Sequence, residues 1–327
     1  MKTLTKSLIM LSLIVCLALP ASAEETMKLD LNAIYGTTSF HTQGAMEFAK
    51  LVKQYSDSSV LITVHSGGSL GFKGPELLKV VKDGQIPMSD ILMGVVAGSS
   101  HTFGISSLPR IVKTYDEAWS LYEKCKPLYE KSAAKWNQKM LYAAPWPPSG
   151  LVTKKAVDVI TDLKGIKIRT YDKNGAEFLR TLGASPLSLP WGEVYASLRT
   201  GMIDSVLTSA ESSKNGKFWE VLNNFTEINY AYPLNMITIN MDYWKALSAK
   251  QQKAVLKAAE ETEALQWKNS KNRNQEALKI ILEKGIKVSG EKPEMTAALD
   301  AAAKKIIDVF MKKAKKNERK VLETFVK

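Results

Sequence analysis

The chain has 327 residues, of which 45% are hydrophobic and 24% are charged, and its formal net charge is +12. This composition excludes a disordered or low-complexity protein, which would carry fewer apolar residues and more charge. At about 150 residues per domain the length predicts two domains, and a chain of this size folds without disulfides or metals. The positive charge is compatible with nucleic acid, an anionic membrane or an anionic ligand.

Residues 1–23 are typical of a secretory signal peptide. Two lysines precede the apolar run from Leu8 to Leu19, and the small residues Ala21-Ser22-Ala23 follow it. The run is too short to cross a bilayer, which needs about 20 residues. Cleavage after Ala23 removes two lysines and no acidic residue, leaving 304 residues with a formal charge of +10. We therefore predict export, with lipidation of Cys16 as a less favoured alternative because Val15 is bulky.

The remaining chain alternates strands and helices. In chain order, the patterns predict a strand at 28–34, a helix at 45–55, a strand at 60–65, a helix at 75–81, a strand and turn at 88–96, one or two helices at 115–140 and a strand at 141–146. They then predict a strand at 165–170, helices at 175–182 and 193–199, strands at 203–207 and 235–240, a very long helix at 248–282 and a helical C-terminus from 293. This order predicts an α/β architecture. The sequence has no flexible linker, so we expect two domains to be joined by ordered hinge strands.

One segment matches a catalytic motif. Gly67-Gly68-Ser69-Leu70-Gly71 reads G-x-S-x-G and lies between a predicted strand and a predicted helix, as the nucleophile of a serine hydrolase does. Such an enzyme places an acid and then a histidine after the serine, and only His101 follows Ser69. We favour a glycine-rich turn and keep an exported serine hydrolase built on Ser69 as the alternative function.

No metal site, cofactor site or nucleic-acid surface is predicted. The histidines at 41, 65 and 101 are not at metal-ligand spacing, and no phosphate-binding glycine loop is present. Cleavage leaves Cys125 as the one cysteine, which we expect to be a half-buried thiol on a helix. The C-terminal lysines alternate with apolar residues at helical spacing and indicate a solvated helix face.

Arg169 is the charged residue that most resembles a ligand contact. Lys167 and Arg169 share one face of a predicted strand, and Ile166 and Ile168 share the other. An arginine at a strand end can hold a carboxylate through two parallel hydrogen bonds, although a surface ion pair is also compatible. Trp146 and Trp191 adjoin prolines at chain breaks, where aromatic residues either line pockets or pack in the core. The pattern alone leaves both interpretations open.

Several stretches together resemble one family. They are 47–49 with Val52, 68–71, Leu108-Pro109, 163–169, 182–186 and, most specifically, the segment 191–204, which reads WGEVYASLRTGMID. The chain resembles the solute-binding proteins of tripartite ATP-independent periplasmic (TRAP) transporters over nearly all of its mature length.

The resemblance implies a two-lobed periplasmic-binding-protein fold that closes on its ligand, with hinge strands and a long helix spanning both lobes. It implies that lobe I holds residues 24–146 and about 234–275, and that lobe II holds about 147–233 and about 276–327. The resemblance implies a periplasmic binding protein that is not an enzyme, and we expect it to be a monomer. Such a protein captures a small organic acid and delivers it to TRAP permease subunits in the membrane.

The resemblance also assigns ligand-binding residues. It implies that Arg169 pairs with a ligand carboxylate, that Trp191 packs on the ligand, and that Thr208, Ser209 and Glu211 line the cleft. We add three aromatic candidates to this set, which are Phe40, Trp146 and Tyr195.

Two departures from the sugar-acid binders of the family limit the ligand. This chain has Thr208 in a segment where those members carry an asparagine, and it has no arginine in 147–150. We infer that one carboxylate is clamped and that Trp146, Trp191 and Phe40 contact an apolar or aromatic body. Glu211 could pair with a ligand ammonium if it faces the cleft. Monocarboxylates, aromatic acids and amino-acid-like compounds all stay open.

Overall fold

The computed structural model describes residues 25–326 as two β-sheets with their connecting helices. The predicted signal peptide, including Cys16, lies outside these residues. The strands are β1 (Met27–Asn32), β2 (Val60–His65), β3 (Met88–Leu92), β4 (Gln138–Pro145), β5 (Ser149–Thr153), β6 (Lys167–Thr170), β7 (Ser185–Ser188), β8 (Ser205–Ser209), β9 (Asn224–Glu227), β10 (Leu234–Asn240) and β11 (Lys287–Gly290). The helices are α1 (Phe40–Tyr55), α2 (Leu77–Lys82), α3 (Tyr115–Ala134), α4 (Lys173–Thr181), α5 (Val194–Thr200), α6 (Ala210–Asn215), α7 (Met241–Ala246), α8 (Ala249–Glu283), α9 (Pro293–Lys313) and α10 (Lys316–Leu322). None of the helices within 25–326 combines the length and apolar composition of a membrane span.

The first sheet, with the helices packed on it, forms lobe I. Its strand order is β2-β1-β3-β10-β4. The strands β1, β2 and β3 are parallel, and β10 runs antiparallel to both β3 and β4. The parallel strands are joined through α1 and α2, because a parallel pair needs a crossover connection. Leu29 and Leu31 of β1 are buried in one core with Phe48 of α1.

The second sheet forms lobe II, with the order β11-β9-β5-β8-β6-β7. Here β6 is parallel to β7 and β8, whereas β5 is antiparallel to β8 and β9. Successive side chains of a strand point to opposite faces. Ile168 of β6 is therefore buried in the apolar core, while Arg169 faces the other way.

The lobes are connected by two chain segments that lie side by side. The first joins β4 to β5, and the second joins β9 to β10. Trp146 N donates to Pro233 O (2.8 Å), and Ser149 N donates to Ala231 O (3.1 Å). These hydrogen bonds make an ordered hinge, as the lack of a flexible linker predicted.

The helix α8 spans both lobes. Its 35 residues extend over about 52 Å at 1.5 Å per residue. Ser248 begins the helix with a capping box, in which Gln251 N donates to Ser248 Oγ (3.2 Å) and Ser248 N donates to Gln251 Oε1 (2.9 Å). The helix contacts α1 and β4 in lobe I and α6 and β11 in lobe II. The predicted fold class is thus confirmed, including the long shared helix.

The C-terminal helices contact both lobes. Met295 of α9 is buried with the core of lobe II, whereas Phe310 of the same helix is buried with that of lobe I. α10 packs on α3. Arg110 in lobe I also binds this region, since its Nη1 is 2.7 Å from Glu291 Oε2 and its Nε is 2.6 Å from Asp300 Oδ1.

Some predicted elements differ from the observed ones. The segment 115–140, predicted as one or two helices, holds one helix that ends at Ala134, because Asn137 adopts a left-handed backbone (φ 52°) and β4 begins at Gln138. The strands β5, β7, β9 and β11, each of four or five residues, were not predicted. Cys125 is fully buried rather than half-buried, and burial raises the pKa of its thiol to about 12.

Candidate ligand-binding site

A cavity of about 730 Å³ lies between the two sheets. In lobe I it is lined by Tyr35, Gly67 and Gly94, which follow the carboxyl ends of β1, β2 and β3. In lobe II it is lined by Tyr171 and Ser209, at the carboxyl ends of β6 and β8. Open α/β sheets bind ligands outside the carboxyl ends of their strands. This cavity is therefore the candidate ligand site.

Arg169 lines the cavity and is 4% exposed. Its Nε and Nη2 both donate to Leu189 O, at 3.0 and 2.8 Å, which fixes the plane of the guanidinium. The arginines that form ion pairs within 25–326 are Arg110, Arg180 and Arg273, so Arg169 has no carboxylate partner there. Burial lowers its pKa to about 10, which leaves it charged at neutral pH. Among the residues 25–326 the hydrogen bonds of the Arg169 guanidinium come from Nε and Nη2, so the two N–H donors of Nη1 are available to a ligand.

Asp172 is the buried acidic group beside Arg169. Its Oδ1 accepts from Gly175 N (2.8 Å) and caps α4. Burial raises its pKa to about 6, while the hydrogen bond from Gly175 N and the charge of Arg169 act in the opposite direction. Asp172 in lobe II also approaches Gly94 in lobe I very closely, since a Cβ at Gly94 would lie 2.4 Å from Asp172 Oδ2. Glycine at 94 is thus required by this contact between the lobes.

Three aromatic side chains form an apolar wall of the cavity. The rings of Tyr35 and Trp146 meet edge to face at 5.0 Å between centroids, and Tyr35 lies 6.5 Å from Trp191 in lobe II. Such rings supply a large apolar contact area. Both predicted tryptophans therefore line the cavity, and the wall suits a flat or apolar part of a ligand.

A buried polar network holds the Trp146 indole in place. Trp146 Nε1 donates to Asn235 Oδ1 (2.7 Å), and Asn235 Nδ2 donates to Asp90 Oδ1 (2.7 Å). All three residues are buried, and burial raises the pKa of Asp90 to about 7 despite the hydrogen bond from Asn235. The network orients one side of the aromatic wall.

Neutral hydroxyl groups complete the lining near Arg169. Thr208 and Ser209 end β8, and Ser209 Oγ accepts from Ser212 N (3.1 Å) to cap α6. Ser149 Oγ and Tyr171 OH are 3.3 Å apart on the hinge side of lobe II. These groups can hydrogen-bond a ligand without adding charge.

Three predicted ligand-binding residues do not line the cavity. Phe40 is buried behind Trp146, with 5.4 Å between the ring centroids. Glu211 is fully buried on α6, where its Oε2 lies 2.8 Å from Lys214 Nζ, so its carboxylate is already paired within its own helix. Tyr195 is exposed on α5 and donates to Glu220.

The G-x-S-x-G segment forms a turn whose glycines, rather than its serine, line the cavity. Gly67, Gly68 and Gly71 have φ of 68–81°, which glycine adopts without strain. Ser69 is exposed. His101 stacks on Phe310 at 3.8 Å between centroids, and the hydrogen bonds of the described residues include none between Ser69 and a histidine. The geometry of a serine nucleophile and its base is not present within 25–326.

Sequence reasoning missed Tyr35, Asp172 and Asn235. The sequence did contain a signal for two of them. Tyr35 directly follows the first predicted strand, and Asp172 stands three residues before Gly175, the spacing at which an N-cap aspartate accepts from a backbone N–H. Asn235 carried no such signal. Its role depends on hydrogen bonds with Trp146 and Asp90, which precede it in the chain by 89 and 145 positions.

The family model of the bacterial extracellular solute-binding proteins, family 7 (DctP), matches residues 31–314. The chain belongs to this family. The match contains the residues that line the cavity, from Ile34 to Pro233. The family 7 assignment therefore covers the site and, apart from residues 27–30 of β1, both sheets.

Relatives and solved structures agree with the family 7 assignment. The C4-dicarboxylate-binding periplasmic protein DctP of Rhodobacter capsulatus is 25% identical over 303 residues, covering 90% of this chain and 88% of the relative. DctP7 of Bordetella pertussis, an extracytoplasmic solute receptor binding pyroglutamic acid, is 25% identical, with a TM-score of 0.90 over 92% of this chain and 100% of that chain. A marine metagenome TRAP solute-binding protein specific for pyroglutamate is 29% identical, with a TM-score of 0.89 over 92% and 99%.

These similarities identify a solute-binding protein of the TRAP type, as the sequence motifs predicted. They favour this function over the serine hydrolase alternative, in agreement with the exposed Ser69.

Proposed function

We propose that this protein is the periplasmic receptor of a TRAP transporter, which binds a small monocarboxylic acid between its lobes and is not an enzyme. The observation that carries the proposal is Arg169, a buried guanidinium that lines the cavity without a protein carboxylate as partner. A buried guanidinium that forms no ion pair is unfavourable, and a ligand carboxylate would supply a directly hydrogen-bonded counter-charge in addition to the nearby charge of Asp172. Leu189 O holds the guanidinium in place before the ligand binds, which reduces the entropic cost of binding.

The lining favours a ligand with one carboxylate and an uncharged body. Arg180 also lines the cavity, but it is 55% exposed and lies 2.8 Å from Glu177, so its charge is already paired. A second ligand carboxylate near Asp172 would be repelled while that residue is ionised. The aromatic wall and the neutral hydroxyls suit a compact ring with polar edges. Pyroglutamate has this chemistry and is the ligand of two structural relatives, so it is the first compound to test.

We propose that ligand capture closes the lobes about the hinge. Lobe I would contain residues 24–146 and about 234–275, and lobe II about 147–233 and about 276–327. The chain passes from the first sheet to the second between β4 and β5 and returns between β9 and β10, which supports the boundaries at 146/147 and 233/234. α9 contacts both lobes, and we propose that it moves with lobe II and shifts against lobe I when the lobes close.

We further propose that the mature protein starts at Glu24, is a monomer in the periplasm, and delivers its ligand to the membrane permease subunits. The signal sequence supports export, and the name of the Rhodobacter relative places that protein in the periplasm. The intact mass of the periplasmic protein tests cleavage after Ala23, and light scattering tests the monomer. Deletion of the gene should abolish uptake of the bound acid by whole cells.

The test of the binding proposal is Arg169→Met, which keeps most of the side-chain volume and removes the charge. We expect wild type to bind pyroglutamate and Arg169→Met to bind it roughly 100-fold or more weakly. This loss corresponds to about 3 kcal/mol, the contribution expected of two charge-assisted hydrogen bonds. Isothermal titration calorimetry measures the affinity. Arg180→Met is the matched control, since it removes a cavity arginine that is exposed and paired. Equal affinity of wild type and Arg169→Met would refute the proposed role of Arg169.

A further inference from the structure

An ion pair joins the two lobes at the solvent edge of the cavity. Lys73 follows β2 in lobe I, and Glu193 stands directly before α5 in lobe II. Lys73 Nζ lies 2.9 Å from Glu193 Oε1, and the side chains are 50% and 47% exposed. The pair therefore connects the lobes at a place that water reaches.

On the lobe II side, the ion pair fixes the segment 189–193. This segment contains the Leu189 carbonyl that accepts from Arg169 and the Trp191 ring that faces Tyr35. Trp191 and Glu193 belong to one 3-10 turn. Glu193 is therefore coupled to the cavity-lining Trp191 through this turn, and Leu189 stands two residues before Trp191.

On the lobe I side, the ion pair fixes the glycine-rich turn. Lys73 stands between Gly71 and Gly74, whose φ values are 81° and 70°. Its backbone N donates to Glu76 Oε1 (2.9 Å), which anchors the Lys73 backbone to the start of a short helix. Gly71, Lys73 and Gly74 all line the cavity. The ion pair thus links the cavity-lining segments of the two lobes.

We propose that Lys73 and Glu193 are positioning residues for ligand binding, whose ion pair holds the segment 189–193 over the bound ligand. The proposal rests on the proposed function, because it requires lobes that open and close. Partners on different lobes separate when the lobes do, so the attraction favours the closed form alone and adds to ligand affinity. An exposed pair has a small effect, and we expect each single variant to weaken binding roughly two- to fivefold.

The test is a double-mutant cycle with pyroglutamate as the probe. Lys73→Met, Glu193→Gln and the double variant should all weaken binding by the same factor, since removing either partner removes the whole interaction. The difference in affinity between these variants and wild type should become smaller as the salt concentration is raised, because salt screens the ion pair. The charge-exchanged variant, Lys73→Glu with Glu193→Lys, should recover most of the affinity. Lys154→Met is the matched control, because Lys154 pairs with Asp204 within lobe II at 3.4 Å and is similarly exposed.

A second readout does not depend on the ligand. Spin labels on Lys50→Cys in α1 and Arg199→Cys in α5, in a Cys125→Ser background, report the distance between the lobes. We expect Lys73→Met to shift this distance towards the open form in the ligand-free protein, and Lys154→Met to leave it unchanged.

The outcomes separate this proposal from the proposed function. The positioning role is overturned if the losses of affinity in the two single variants add up in the double variant, or if the variants bind as tightly as wild type. Either result leaves the proposed carboxylate receptor in place. If wild type binds no pyroglutamate, the proposed ligand is wrong, and the spin-label distance then tests the role of the ion pair without a ligand. An unchanged distance in Lys73→Met then overturns the positioning role as well.

Discussion

Gly94→Ala should weaken ligand binding by keeping the lobes apart. The added Cβ would lie 2.4 Å from Asp172 Oδ2 and 2.9 Å from Ser107 Oγ, so one partner must move by about 1 Å to reach ordinary contact. Asp172 cannot move freely, because its Oδ1 accepts from Gly175 N at 2.8 Å. Overpacking of this kind costs about 1–3 kcal/mol, which corresponds to roughly a 5- to 150-fold rise in Kd.

The clash with Asp172 exists only when the two lobes are in contact, so it should affect the closed form and spare the open one, whereas the tight contact with Ser107 Oγ lies within lobe I and is present in both forms. Titration calorimetry with pyroglutamate measures the loss of affinity, and thermal unfolding without ligand measures separately the cost of the contact with Ser107 inside lobe I. Gly98→Ala is the matched control, because Gly98 lines the same cavity and its added Cβ would meet nothing within 4 Å. If Gly94→Ala binds as tightly as Gly98→Ala, the closed contact between Gly94 and Asp172 does not form in the complex.

Two predictions concern the buried network behind the aromatic wall. Burial raises the pKa of Asp90 to about 7, so the folded protein keeps a proton that the unfolded chain has lost, and the free energy of unfolding should fall by about 1 kcal/mol between about pH 6.5 and 8.5. Asp90→Asn should remove most of this pH dependence of the free energy of unfolding, which urea titrations at several pH values measure. If the pH dependence is unchanged in Asp90→Asn, Asp90 is not the group responsible. Asn235→Ala leaves the Trp146 N–H and the Asp90 carboxyl without their partner, and should lower the free energy of unfolding by about 2–4 kcal/mol. A loss below about 1 kcal/mol would show that water replaces the amide.

Local patterns were sufficient to predict most of the helices and strands and the direction of the Arg169 side chain. The alternation in β6 correctly predicts that Ile168 is buried in the core and that Arg169 faces the other way, because side-chain direction in a strand follows from position alone. The run without helix breakers predicts α8 to within one residue at each end. Trp146 and Trp191, chosen because they adjoin prolines, both line the cavity.

Features that depend on contacts between distant segments could not be predicted. The approach of Gly94 to Asp172 and the pairing of Asn235 with Asp90 depend on which strand ends meet, and periodicity does not contain that information. Glu211 is a different case. Its partner Lys214 stands three residues later on the same helix, a spacing that favours an ion pair, so the sequence already gave a reason to leave Glu211 out of the site.

The central claim is that Arg169 binds the carboxylate of the ligand. The most direct test compares a carboxylic acid with its primary amide, beginning with pyroglutamate and pyroglutamide, by calorimetry on the wild-type protein. The two compounds have nearly the same shape and differ in the charge that the guanidinium would bind. We predict that the acid binds and that the amide loses roughly 100-fold or more in affinity. Equal binding of acid and amide would contradict the claim.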